Sequence, residues 1–454
     1  MAISRRNLVR SLGAGALGAG ALTACGEGGM RRGRGRGRPR PTTTAPTAEA
    51  LEEPDTPLLI GSIGASYGRS APFEKAIAIA VREAVIDVNH QYGKVFGHDL
   101  QLAERHVMAA PGEDLSSVIA GFADAGVTAV ITSIDEDALV AAIPAFVEAG
   151  IAIIDVFSSG MSVRAPEVQS SGMLVRISPN DRATAARYAE AAWSGSGDGT
   201  PGTVAFLSEN TSQGQSLRHE LEQILGPQGG RIVTEHLYTP GEFGDVAAVA
   251  TTVLETPPAL VVLNGGAEAG PFLAALHTAN LDEGGRPVLQ IPAELSPNAT
   301  VSYLDSELPV ECLTSAHGYE PGGELLDAHV NMMLNVNPDL LRTGYAYSQQ
   351  AYDAVMLAAL AAMHGLSVQG TDIAASIPSV LTGSEACEDF GSCRLILRDA
   401  LSAGGRATVT FTGRTGPLEL GSDADPRIGD LRIYAWSEAN ELLHENTTSY
   451  ELPG

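Results

Sequence analysis

Residues 60–89 read IGSIGASYGRSAPFEKAIAIAVREAVIDVN. The apolar run at 58–63 stops at Gly64 and reads as a buried strand. A polar loop follows as far as Pro72. Phe73, Ile77, Ala80, Ala84 and Val88 then recur at the spacing of one helix face and predict a long amphipathic helix to about Asn89. Strand, short loop and helix make the first half of a βαβ unit, in which a helix carries the chain between parallel strands.

The same alternation continues outward. Strands are expected at 99–107, 127–132 and 151–157, with helices at 114–125 and 135–149 between them. The pattern pauses in the polar stretch 158–172. It resumes with helices at 182–193, 212–225, 243–254 and 270–279 and strands at 203–207, 231–237, 259–263 and 287–291. Helices at 325–334 and 348–364 and strands at 407–411 and 431–436 complete the chain. The fold class is therefore α/β, with two doubly wound parallel-sheet lobes, and the late elements imply that the chain crosses between them more than once. Ligands in such sheets bind beyond the carboxyl ends of the strands, so the loops 64–72, 133–138, 157–162, 208–214, 264–270 and 292–297 are expected to border a central cleft.

The N-terminus reads MAISRRNLVRSLGAGALGAGALTACGEGG. A charged start, a short Gly- and Ala-rich apolar run and small residues before a cysteine predict a signal peptide over 1–24. Arg5 and Arg6 resemble the twin-arginine export signal, although Sec signals also contain Arg pairs. Leu22-Thr23-Ala24-Cys25 resembles a bacterial lipobox, with Cys25 as the lipidated first mature residue. Residues 25–56 alternate Gly, Arg, Pro and Thr without apolar periodicity and are expected to form a disordered tether. Its six arginines suit anionic lipid headgroups or simple solvation.

The chain carries 28 Lys and Arg against 54 Asp and Glu. From Pro57 onward the balance is 19 against 49, or −30, which argues strongly against a nucleic-acid partner for the folded part. Cys387 and Cys393 lie in CEDFGSC, a loop-like stretch, and outside the cytoplasm they read as a local disulfide. Cys312 is left over as a buried thiol. There is no Gly-x-Ser-x-Gly, no phosphate-loop Gly-Lys-Ser/Thr and no His-Glu-x-x-His, and Gly61, Gly64 and Gly68 have the wrong spacing for a dinucleotide loop. No enzyme activity, cofactor or metal is called for. Asp135, Glu136 and Asp137 read either as a solvated helix N-terminus or as an acid–base or metal-binding cluster.

The body resembles the branched-chain amino-acid type of ABC-transporter substrate-binding protein, with the type I periplasmic-binding fold. Besides 60–89, the stretches AFVEAGIAIIDVFSSGMSVR, YSQQAYDAVMLAALAA and CEDFGSC…FTGRTGPLEL carry the likeness, which spans about 57–436. It implies three crossovers, with lobe I at 57–178 and 321–405 and lobe II at 179–320 and 406–448. It places Tyr67 as an aromatic wall, Ser158 and Ser159 at an amino-acid head group, and Asp137 near a carboxylate-binding serine. Gln213 falls at a frequent tyrosine position, Ala267 near another aromatic one, and Glu294 near an acid that pairs with a ligand ammonium. The acids at 135–137 stand where a serine-rich turn is usual, so either they face solvent or the ligand is not a standard α-amino acid. The expected role is capture of a small polar ligand, an amino acid or related compound, by hinge closure and delivery to an ABC permease in the membrane. The alternatives are a sensor signalling to a membrane partner without import, or an exported enzyme.

Overall fold

A computed structural model of the chain describes residues 52–304, 306–421 and 424–452. The expected signal peptide, Cys25 and most of the expected tether lie outside these residues.

The first sheet contains β1 (Leu59–Ala65), β2 (Gln101–Leu102), β3 (His106–Met108), β4 (Ala129–Ser133), β5 (Ala152–Asp155) and β6 (Leu174–Arg176). Its order is β2-β1-β4-β5-β6, with β3 also on β1, and every pairing is parallel. The strand expected at 99–107 is two short ones. Leu59 pairs with Gln101 and Ile63 with His106, so the outer strand carries one extra residue. Arg105 in that interruption reaches Glu74 through two bonds of 2.6 and 2.7 Å.

The second sheet begins with β7 (Thr200–Glu209), β8 (Arg231–Tyr238), β9 (Pro258–Asn264), β10 (Ala293–Leu295) and β11 (Ala316–Pro321). The chain then returns to the first lobe, where β12 (Glu385–Cys387) and β13 (Val409–Phe411) pair with each other. It ends in the second lobe with β14 (Glu419–Leu420), β15 (Pro426–Trp436) and β16 (Leu442–Glu451). The order is β14-β15-β11-β10-β9-β7-β8, with β16 on β15. The strands from β7 to β11 are parallel, and β14, β15 and β16 join antiparallel. Three connections thus join the sheets: β6 to β7, β11 to the helix Asp327–Val336, and β13 to β14.

The helix Ser348–Gly365 is buried over all of Ser348 to Met363. A helix buried all round belongs in a core, and this one packs with Glu74–His90 and Gly370–Leu381 in the first lobe. Among the described residues no single helix is long and apolar enough to cross a membrane. Asp353 on the buried helix holds the third connection. It accepts from the Arg414 N–H at 3.0 Å and from the Thr415 N–H and hydroxyl at 2.7 Å each. Gly413 is required beside it, since a Cβ there would lie 2.4 Å from the Asp353 carboxyl. The expected YDA and FTGRTGP stretches therefore touch one another.

Two fully buried arginines tie the connections together. Arg176, closing β6, binds Asp425, which also accepts from Asn180 at 2.6 Å. Arg432 in β15 binds Glu320 at 2.5 Å, the Gly323 carbonyl at 2.8 Å and the Gln349 side chain.

Three further expectations are corrected. The strand expected at 287–291 lies later, at β10. Val288 is 63% exposed and Pro292 has no N–H for a ladder, so pairing starts at Ala293. The second-lobe segment expected from 406 begins later too. Val409 and Phe411 are buried in the first-lobe core, and β13 pairs with β12. The CEDFGSC stretch is ordered structure rather than loop. Asp389 caps the helix Phe390–Ser402 in a capping box, and Cys387 and Cys393 are bonded across that cap, with Cα atoms 5.2 Å apart.

Candidate functional site: the cleft between the lobes

Residues at or just past the carboxyl ends of β1, β5, β7, β9 and β10 meet around one cavity. The first lobe supplies Arg69, Ser159 and Tyr347, and the second supplies Gln213, Asn264, Ser296, Asn298 and Tyr319. Tyr347 caps the buried helix with φ of 65°, a left-handed conformation that is uncommon for a bulky residue. Its ring lies 4.8 Å from Phe157 and 5.1 Å from Phe73, centroid to centroid. On the opposite wall, Gln213 donates to Asp181 at 3.1 Å and accepts from Asn264 at 2.9 Å, which fixes its amide from both ends. Tyr319 donates to Thr184 at 3.4 Å.

Arg69 carries the charge of this wall. Its Nε lies 3.4 Å from Asp135, its guanidinium sits 5.0 Å over the Phe157 ring, and its buried Nη2 has no partner. Burial works against its charge, but Asp135 and neighbouring acids outweigh that and raise its pKa. Behind it, Glu136 is buried and accepts from the Gly160 N–H at 2.7 Å. A Cβ at residue 160 would fall on the Glu136 carboxyl, so a side chain there would have to displace it. Burial, then Asp181, pushes Glu136 up to about 7. Burial and Glu268 push Glu209, at the end of β7, to about 7 as well.

Residues 57–391 match the family of periplasmic binding proteins. The chain belongs to that family. Its fold is also similar to that of solved relatives. The branched-chain amino acid transporter substrate-binding protein of Streptococcus pneumoniae, solved in complex with isoleucine, is 15% identical with a TM-score of 0.60, covering 87% of this chain and 100% of that one. A solute-binding protein of an ABC transporter from Rhodopseudomonas palustris HaA2, in complex with p-hydroxybenzoic acid, is 12% identical with a TM-score of 0.63 (88% and 98% covered). A leucine-binding protein of Thermotoga maritima is 13% identical with a TM-score of 0.60 (87% and 99% covered). A search of curated proteins finds no match.

In this periplasmic binding protein the residues singled out from sequence are dispersed. Ser159 and Gln213 line the cavity. Ser158 lies deeper, with its N–H on Asp155 at 2.8 Å and its carbonyl accepting from Arg176 at 3.1 Å, so it supports the loop instead of the cavity wall. Tyr67 is half-buried and packs against the first-lobe core beneath β1. Asp137 accepts from Ser212 of the second lobe at 2.6 Å. Glu294 is buried, lies off the cavity wall and is paired bidentately with Arg187 at 2.8 and 3.2 Å, so its charge is matched within the protein. None of Asp135, Glu136 and Asp137 lines the cavity. Asp135 holds Arg69, Glu136 holds the 158–162 loop, and Asp137 bridges lobes. Among the described residues no group of three or more His, Cys, Asp or Glu is arranged to hold a metal ion.

Arg69, Asn264, Tyr319 and Tyr347 were not singled out from the sequence. Arg69 was within reach, as a cation inside the loop 64–72 that follows the first strand. Tyr347 was not, because it enters from a helix some 280 residues along the chain from β1.

Proposed function

We propose that the protein is an extracytoplasmic, lipid-anchored solute-binding protein that captures a small polar ligand, an amino acid or related compound, and delivers it to an ABC importer. One observation carries the reading: a single cavity takes its wall from both lobes, at the carboxyl ends of both sheets. A ligand held on both sides binds the closed arrangement better than the open one, so its binding shifts the population toward closure. The three connections are the places where the chain can bend. The lipobox-like LTAC at 22–25 supports anchoring through Cys25, and the 25–56 stretch supports a tether between the membrane and the lobes. A membrane permease is the partner this role requires. The relatives solved with isoleucine and p-hydroxybenzoic acid support a small ligand that combines a carboxylate with an apolar body.

The test is a thermal-shift screen of the full chain against amino acids, amides, polyamines and small carboxylates. A saturable rise in melting temperature with at least one compound is expected. No shift across the whole panel counts against solute capture.

A further inference from the structure

Among the residues that line the cavity, Arg69 alone bears a charge. Its position is built from three sides. Asp135 holds Nε, the Phe157 ring lies under the guanidinium plane, and the residue sits in the turn Gly68–Phe73 directly after β1. Its side chain is only 11% exposed, yet the buried Nη2 meets no acceptor. A buried N–H of a charged group without a partner is costly, and a carboxylate is the acceptor that matches a guanidinium edge. Next to it stand Tyr347 and, across the cavity, Tyr319, whose rings offer apolar surface to the body of a ligand.

We infer that Arg69 is the anchor for a carboxylate on the captured ligand, and that the ligand is a small monocarboxylate whose apolar body lies between Tyr347 and Tyr319. This rests on the solute-binding reading and narrows it. Of the nearby acids, Asp135 is occupied by Arg69 itself, Glu136 accepts from the Gly160 N–H, and buried Asp181 accepts from Gln213 with its other oxygen unpartnered; all three favour the charged form of Arg69. The uncharged polar groups of the wall, Ser159, Asn264 and Asn298, remain for the rest of the ligand.

Calorimetry on the full chain at pH 7 tests this with matched pairs: L-leucine and L-leucinamide, L-isoleucine and L-isoleucinamide, benzoate and benzamide, 4-hydroxybenzoate and 4-hydroxybenzamide. At least one acid should bind, with its amide at least 30-fold weaker. Arg69→Gln should weaken that acid at least 30-fold, and Arg69→Lys should restore part of the loss. The acid–amide comparison on the unaltered protein stands even where the variant fails to fold. Equal binding of acid and amide overturns the inference and leaves solute capture intact, as does unchanged acid binding by folded Arg69→Gln. Binding of only a neutral or cationic solute from a wider panel does the same. Absence of binding by every compound sinks the inference together with the solute-binding reading.

Discussion

Arg164 of the first lobe donates to Glu220 of the second at 2.6 Å, with side chains only 10% and 12% exposed. Glu220 is one of three residues on a single face of the helix Ser212–Leu225 that grip the opposite lobe. Ser212 donates to Asp137 at 2.6 Å, and Ser216 accepts from the Met161 N–H at 2.9 Å. Spacing of four along a helix stacks these side chains on one side. That face is a latch between the lobes.

Cutting the latch should therefore weaken ligand binding without touching the cavity wall. Glu220→Ala leaves Arg164 nearly buried without its carboxylate partner, with only the Ser159 carbonyl at 3.3 Å still accepting from it. It should disfavour closure by about 2 kcal/mol and lower affinity about 30-fold. Calorimetry with a bound ligand reads the affinity, and small-angle scattering reads the open population. Unchanged affinity would show that the pair does not bear on closure.

The pair between Arg432 and Glu320 should matter more for folding than for ligand. Both side chains are almost wholly buried, and Arg432 also reaches the second connection through Gly323 and Gln349. Arg432→Met strands the Glu320 charge and should destabilise the protein by about 3–5 kcal/mol. Converting Glu320 to Gln in the same chain should recover part of the loss. Urea unfolding of the single and double variants checks this.

Stability should fall as pH rises from about 4.5 to 7. Glu136 is raised in the folded state by burial and then by Asp181, to about 7, so folding favours its protonated form. That contribution is fully present below the unfolded carboxyl pKa and is lost as pH climbs through about 7. Glu136 accounts for about 3 kcal/mol of it, and Glu209 acts in the same direction. Melting temperatures across this window should slope downward, and Glu136→Gln should flatten the slope. A profile that rises through the window in the unaltered protein would refute this.

Reducing the Cys387–Cys393 bond should have a modest effect. The bond closes a short loop over the cap of the helix Phe390–Ser402, and both sulfur-bearing residues are buried. Loop-closure entropy for so short a span gives about 2 kcal/mol. The melting temperature with and without reductant measures it, with the Cys387→Ser, Cys393→Ser chain as the control.

Much of this architecture can be read along the chain, because the signals are local. The strand at 58–63 and helix at 73–89 lie within two residues of β1 and Glu74–His90, and the helix expected at 212–225 coincides with Ser212–Leu225. Period and length suffice there, since each face that must be buried repeats within one element. Errors arose where the deciding neighbour is distant. Pro287 to Ile291 is apolar enough for a strand, but the ladder on β9 begins two residues beyond it. Residues 407–411 look like any terminal strand, and only the pairing with β12 assigns them to the first lobe.

The site divides in the same way. The loops that border the cleft followed from the rule that strands point their carboxyl ends at ligands, and Ser159 and Gln213 lie in them. What each charged side chain does there was decided by partners far along the chain: Arg187 for Glu294, Ser212 for Asp137, and Phe157 and Asp135 for Arg69. The alternation of strand and helix, the two lobes and the loops between them follow from local pattern, because periodic burial is written into neighbouring residues. Which charges are spent on the fold, and which one is left facing the cavity, depends on contacts made in three dimensions. A carboxylate or guanidinium acquires its role from the oppositely charged or apolar group that folding brings against it, and that group stands dozens to hundreds of residues away.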